Sequence, residues 1–231
     1  MSVTKFVAYG DSITEGFVQV CPGAAPRLAT RWSLPPGPPG PRALAFEPRP
    51  APYAPTAYPL KLQELLAARY AGQTIAVANE GSGGEEIEAG AQDLPRVLTT
   101  ESAQALLLQE GINSINATHA AAIPIVVDGL RTMIREARKR GMAVFVGTLL
   151  PERPGGCRAY DYLDEKDDIV MANIQIRTMV GDEGAVLVDL YQAFNGRTAT
   201  FIGEDGLHPS AEGYQQIAKS FFDAIVERLE E

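Results

Sequence analysis

The chain has no apolar run of about 18 residues, the length needed to cross a bilayer as a helix. Integral membrane association is therefore not expected. Cysteine is scarce: Cys21 and Cys157 are the only two, too few for a disulfide framework or a thiolate zinc site. Both lie beside Pro/Gly-rich stretches and read as loop residues. An oxidising compartment would allow one disulfide between them, and two unpaired thiols are the plainer expectation. Positive charge is also short. Lys and Arg number 20 against 29 Asp and Glu, for a formal charge of −9. An acidic surface argues against nucleic acid or an anionic membrane as partner. Histidine is limited to His119 and His208, so any imidazole chemistry has two candidates. No leader segment is recognisable before the first apolar stretch. That reads as a cytoplasmic protein, or as an exported one whose leader has been removed.

What remains fits one α/β domain spanning 1–231. The length of 231 residues suffices for a sizeable core, and 45% hydrophobic content is ordinary for a globular chain. Short apolar runs at 6–9, 74–78, 105–108, 142–149 and 185–190 read as five strands. Between and after them lie helical patterns at 58–70, 124–140, 169–180 and 210–229. In the first of these Leu60, Leu62, Leu65 and Leu66 are expected on one side. In the second, Arg135, Arg138, Lys139 and Arg140 crowd the last turns, where cations suit the helix dipole, and Gly141 ends it. In the last, Ser210 is the expected N-cap, and Tyr214, Ile217, Ala218, Phe221, Phe222, Ile225 and Leu229 form the apolar stripe. Alternating strands and helices, with continuous apolar strands, predict a parallel sheet covered on both faces. One segment breaks the pattern. Residues 18–57 are dense in proline (Pro35, Pro36, Pro38, Pro39 and Pro41 among others), which excludes helix and central strand alike. A loop so long, carrying Leu28, Trp32, Leu34, Leu44, Phe46 and Tyr53, is expected to pack beside the cleft or over an apolar patch behind it.

In open parallel sheets ligands bind beyond the carboxyl ends of the strands. Gly10-Asp11-Ser12 follows the first strand, and Asn79-Glu80-Gly81-Ser82-Gly83-Gly84 the second. Glu110-Gly111-Ile112-Asn113-Ser114 follows the third, and Gly203-Glu204-Asp205-Gly206-Leu207-His208-Pro209 comes after the fifth. One rim should thus hold a serine, a histidine, an aspartate and backbone donors near glycines. A serine hydroxyl needs a base to become a nucleophile, and the base needs a carboxylate to orient it. His208 is the candidate base. Asp205, three residues earlier, can reach one imidazole nitrogen while the other faces Ser12. Plainer readings of the same residues exist. His208 could cap the last helix, and His119 is structural or substrate-facing. Glu85, Glu86 and Glu88 form a solvated first helical turn rather than a cation site. The glycine stretch 81–84 lacks the Gly-x-Gly-x-x-Gly of a dinucleotide loop.

The four blocks GDSITEG, NEGSGG, GINS and DGLHP resemble the signature blocks of the SGNH (GDSL-like) hydrolase family. They stand in the family's order and extend over nearly the whole chain. The resemblance implies a three-layer α/β/α sandwich, flavodoxin-like, with a five-stranded parallel sheet. It also implies ester or amide hydrolysis through an acyl-enzyme, with no metal and no cofactor. Position by position, it implies Ser12 as nucleophile, His208 as base and Asp205 as its partner. The oxyanion hole would comprise the N–H of Ser12, the N–H of Gly81 and the side-chain amide of Asn113, with Asp11 anchoring the nucleophile turn. One position departs from the pattern: Ser114 follows Asn113 where the family carries aspartate, which puts the support of that loop in question. A small-molecule ester or acylated glycan is the expected substrate, a monomer the expected state. An acyltransferase, a carbohydrate O-acetyl esterase and a non-catalytic glycan- or lipid-binding domain are the alternatives. A domain without catalysis would have no reason to carry Ser12, Asp205 and His208 together.

Overall fold

The computed structural model describes residues 3–18, 57–157 and 165–230. Five strands form one wholly parallel sheet: β1 (Lys5–Gly10), β2 (Ala76–Gly81), β3 (Ala105–Gln109), β4 (Ala143–Gly147) and β5 (Val186–Val188). Their order is β2-β1-β3-β4-β5, so the first strand lies between the second and third. Phe6, Val7 and Ala8 of β1 and Leu106, Leu107 and Leu108 of β3 are wholly buried, as the continuous apolar runs require of strands covered on both faces.

The helices are α1 (Ser12–Glu15), α2 (Tyr58–Arg69), α3 (Ile87–Glu101), α4 (Ile112–Thr118) and α5 (Ile123–Lys139). They continue with α6 (Glu165–Asp182), α7 (Leu190–Phe194), α8 (Thr198–Phe201) and α9 (Ala211–Glu230). A 3-10 turn, His119–Ala122, leads into α5 and contains His119. Helices α2 and α9 pack together over one face of the sheet. Tyr58 stacks on Phe221 there, ring centroids 5.2 Å apart. Helices α3, α5 and α6 form the layer on the other face.

Several boundaries differ from the sequence reading. Strand β2 runs on to Gly81, so Asn79 and Glu80 stand in the ladder, held by pairing with β1. Strands β4 and β5 are shorter than the apolar runs, because Leu149, Leu150 and Leu190 are buried in the segments that follow. Leu62 and Leu66 face the core from α2, whereas Leu60 and Leu65 are exposed. Helix α3 carries Pro95 in its interior, which hides it from a propensity reading. The basic end of α5 is paired: Arg135 meets Glu183 at 2.7 Å and Arg140 meets Glu136 at 3.0 Å. The Ser210 hydroxyl caps α9 as expected, accepting the Gly213 N–H at 3.1 Å. Cys157 is disulfide-bonded, so the expectation of two unpaired thiols fails; Cys21 lies outside the described residues. The expected packing of the Pro-rich loop also falls on undescribed residues, 19–56. Its two flanks do meet. A methyl group placed on Gly16 would lie 2.5 Å from the Cβ of Ala57, beside α1.

One buried side chain holds the exit from β4. Asn173 of α6 accepts the Leu149 N–H at 2.8 Å and donates to the Leu149 carbonyl at 2.9 Å. Both residues are fully buried. Asn173→Ala strips two buried backbone groups of their partner and is expected to cost about 3 kcal/mol. The readout is a lower urea midpoint with an unchanged slope. A loss under about 1 kcal/mol would show that those groups find other partners.

Candidate active site

The turn that carries Ser12 is built by its own side chains. Asp11 is the N-cap of α1, its Oδ1 accepting the Ile13 N–H at 2.9 Å. That fixes Ser12 as the first helical residue. Its own N–H has no acceptor within the helix. The Ser12 hydroxyl lies 2.9 Å from His208 Nε2. Both residues are almost fully buried, at 7% and 5% exposure.

The histidine is presented by a turn that aspartate organises. Asp205 Oδ1 accepts the N–H groups of Leu207, at 3.1 Å, and His208, at 3.0 Å. Its Oδ2 lies 2.5 Å from His208 Nδ1. An aspartate that bonds its own backbone two and three residues on is a stable turn former, so the spacing in DGLH fixes carboxylate and ring together. The Gly203 N–H closes the turn on the His208 carbonyl at 2.7 Å. Burial acts to raise the Asp205 pKa, but the His208 hydrogen bond and charge and the two N–H groups outweigh it. The carboxyl is held below its ordinary value. Asp205 thus stays ionised and can balance positive charge on the imidazole.

Three supports lay outside the sequence reading. Phe17 packs its ring on His208, centroids 4.6 Å apart, and its carbonyl accepts the Tyr214 hydroxyl of α9 at 2.6 Å. The segment after β4 braces the Asp205 turn. The N–H of Arg153 bonds the Gly206 carbonyl at 2.9 Å, and that of Cys157 the Glu204 carbonyl at 2.8 Å. Gly156 lies so close that a Cβ there would stand 2.3 Å from the Asp205 carbonyl oxygen, which only glycine avoids. The density of Gly and Pro around 151–157 was the one signal available.

The Gly81 N–H is directed to the Asn79 side-chain oxygen at 3.0 Å. The N–H groups of Gly83 and Gly84 have no partner among the described residues. A Cβ placed on Gly83 would lie 3.9 Å from the Ser12 Cβ, which brings this glycine turn beside the hydroxyl. Gly84 holds φ of +77°, a conformation that favours glycine. Asn113 lies in the first turn of α4, and one of its amide hydrogens goes to the Glu85 carbonyl at 2.9 Å. The other remains for a ligand. Ser114, the departure from the family pattern, accepts the Ile87 N–H at 3.0 Å and so supports the first turn of α3.

A pocket of about 190 Å³ lies behind the brace, between Pro151, Pro154, Ile169 and Thr198, and includes neither Ser12 nor His208. Among the described residues no group of three or more His, Cys, Asp or Glu side chains is arranged to hold a metal, and no helix is long and apolar enough to cross a membrane.

Comparison with known proteins gives the family and the fold. The profile of the GDSL-like Lipase/Acylhydrolase family matches residues 8–216. No curated protein matches the chain in sequence. Among solved structures, a lipase/acylhydrolase from Enterococcus faecalis is 21% identical, with a TM-score of 0.66 over 97% of this chain and 96% of that one. A family 3 carbohydrate esterase from Clostridium thermocellum is 20% identical, with a TM-score of 0.67 over 98% and 97%. An acetyl xylan esterase from Geobacillus stearothermophilus is 18% identical, with a TM-score of 0.67 over 96% and 94%. At these identities the structures show a shared fold, and the family rests on the sequence profile. With 209 of its 231 residues inside that match, the chain belongs to the GDSL-like lipase/acylhydrolase family of carboxylic ester hydrolases.

Proposed function

We propose that this esterase works through Ser12, His208 and Asp205, on neutral carboxylic esters. The observation that carries the reading is the continuous hydrogen-bond line from Ser12 Oγ through the two ring nitrogens of His208 to Asp205 Oδ2, at 2.9 and 2.5 Å. His208 Nε2 takes the hydroxyl proton as Ser12 Oγ attacks the ester carbonyl carbon. The tetrahedral oxyanion is met by the Ser12 N–H, the free amide hydrogen of Asn113 and an N–H of the Gly83-Gly84 turn, in place of Gly81. The imidazolium returns its proton to the leaving alkoxide, and an alcohol departs. Water, deprotonated by the same ring, then attacks the acyl-serine; the bond to Ser12 Oγ breaks, the imidazolium returns its proton to that oxygen, and the carboxylic acid leaves.

The surroundings favour an uncharged substrate. Glu15 and Glu85 flank the glycine turn, a Cβ on Gly83 falling 2.7 Å from a Glu15 carboxylate oxygen. A formal charge of −9 disfavours an anionic substrate. Deacetylation of a sugar is the second reading, suggested by the carbohydrate and acetyl xylan esterases of the same fold. Acyl transfer would follow if an alcohol replaced water at the second step. A set of p-nitrophenyl esters from acetate to octanoate, run beside acetylated xylose, separates simple ester hydrolysis from sugar deacetylation.

A fluorophosphonate should label Ser12 alone, as mapped by mass spectrometry; labelling elsewhere, or none with activity intact, removes it as nucleophile. Asp205→Asn should lower kcat by about 10⁴-fold, since the amide no longer orients and balances the imidazole. Near-normal turnover in that variant would mean that another group orients His208.

Asn113→Ala should lower kcat by about 10²–10³-fold with little change in KM, the signature of a donor that acts in the transition state. A raised KM at constant kcat would make Asn113 a ground-state binding residue instead.

A further inference from the structure

Tyr9 of β1 carries a hydroxyl that its packing does not require. The side chain is buried, and a phenylalanine would fill the same space. A buried hydroxyl costs free energy unless it finds a partner. That of Tyr9 lies 3.0 Å from both Glu85 Oε2 and the Gly90 carbonyl of α3, a donor shared between two acceptors. Gly90 makes the approach possible: a Cβ there would stand 3.1 Å from Glu85 Oε2 and 3.5 Å from the Tyr9 ring. Burial first, and then the Glu85 charge, raise the Tyr9 pKa far above its ordinary value. The hydroxyl therefore keeps its proton and remains a donor.

Glu85 stands where two parts of the rim meet. It follows the glycine turn, its N–H bonded to the Ser82 carbonyl at 3.1 Å, and lies just before α3. Its own carbonyl accepts the Asn113 amide at 2.9 Å. That acceptor decides which way the amide is turned. A carbonyl attracts the nitrogen end of an amide and repels the oxygen end, so the second hydrogen of the same nitrogen is the one presented to the site. The placement of the Glu85 carbonyl thus sets the direction of that hydrogen. The backbone at this junction is held on one side by Ser114, which accepts the Ile87 N–H at 3.0 Å. On the other it is held through the Glu85 side chain, by Tyr9.

We propose that Tyr9 is a positioning residue for the oxyanion hole: its hydroxyl pins the Glu85 side chain, and the Glu85 carbonyl thereby aims the second amide hydrogen of Asn113 at the developing charge. Tyr9 acts through Glu85 and Asn113, without touching substrate. The effect on turnover rests on the part given to Asn113 above; the tether itself does not. A preorganised donor stabilises charge only where it already points, so its direction matters most in the transition state. Loosening the tether lowers kcat and leaves KM unchanged.

Tyr9→Phe tests this, since it removes the hydroxyl and keeps the ring. It should lower kcat about 10-fold at constant KM, a partial loss beside removal of the Asn113 amide itself. In an Asn113→Ala background the same substitution should change kcat by less than about twofold, because residues that act through one group do not add. Glu85→Gln keeps an acceptor for the hydroxyl, though a neutral and weaker one, and should hold kcat within about threefold. Glu85→Leu loses that acceptor and should match Tyr9→Phe. The side-chain amide of Asn113, identified in nitrogen–proton NMR spectra by its absence from Asn113→Ala, reports the tether without catalysis. Its resonances should shift and broaden in Tyr9→Phe. Resonances that stay in place overturn the tether. An equal loss of kcat in both backgrounds, or a raised KM, overturns the positioning role. Should Tyr9→Phe fail to fold, Glu85→Leu in the two backgrounds decides alone. If the resonances move while Asn113→Ala keeps its kcat, the tether stands and the oxyanion role of Asn113 falls.

Discussion

The register of three parallel strands is the constraint on which this site depends. Gly10 is paired with Gly81 on one side and with Gln109 on the other, so β2, β1 and β3 finish at one level. Everything that follows those residues is delivered to the same rim. The serine arrives one residue into a helix that Asp11 caps. The glycine turn arrives beside it, with the Ser82 N–H bonded to the Gly10 carbonyl at 2.8 Å. Asn113 arrives from the third strand, tied to Glu85 of the second block. Only the Asp205–His208 turn comes from far along the chain, and it is braced from β4 through Arg153 and Cys157. A slip of one residue in β1 would turn its side chains to the opposite faces and carry Ser12 away from His208.

Much of this was legible in the sequence, for identifiable reasons. Buried parallel strands must be apolar throughout, so β1, β3 and β4 announced themselves, while the largely exposed β2 showed only through its apolar start and ran on past it. The Asp205 to His208 spacing is a local device, complete within four residues, and needs no tertiary information to be read. The pairing of Ser12 with His208 is not local, and order of motifs stood in for distance. The glycine stretch was harder. Gly81 and Gly84 look alike in sequence, and only the side chain of Asn79, which claims the Gly81 N–H, separates them. Phe17 and Tyr214 were invisible as supports because an aromatic residue beside a motif reads as core. Ser114 was a departure without a visible reason. In the fold its hydroxyl receives the Ile87 N–H, a single hydrogen bond that a side chain shorter than aspartate can still make.

The same register that assembles the rim forces two acids into the interior. Asp11 has to follow β1 if the turn is to be capped by a side chain that reaches Ile13. Glu110 follows β3 at the matching step, where its carboxyl reaches the Gly111 N–H. Each is locally justified, as a cap and as a loop tie. Out of water, both are raised above their ordinary values, by burial first and then by neighbouring acids. A sequence reading does not see that burial, and so treats Asp11 as a simple anchor and passes over Glu110. The local demand of each turn for a side-chain acceptor thus outweighs the general rule that keeps carboxyl groups at the surface.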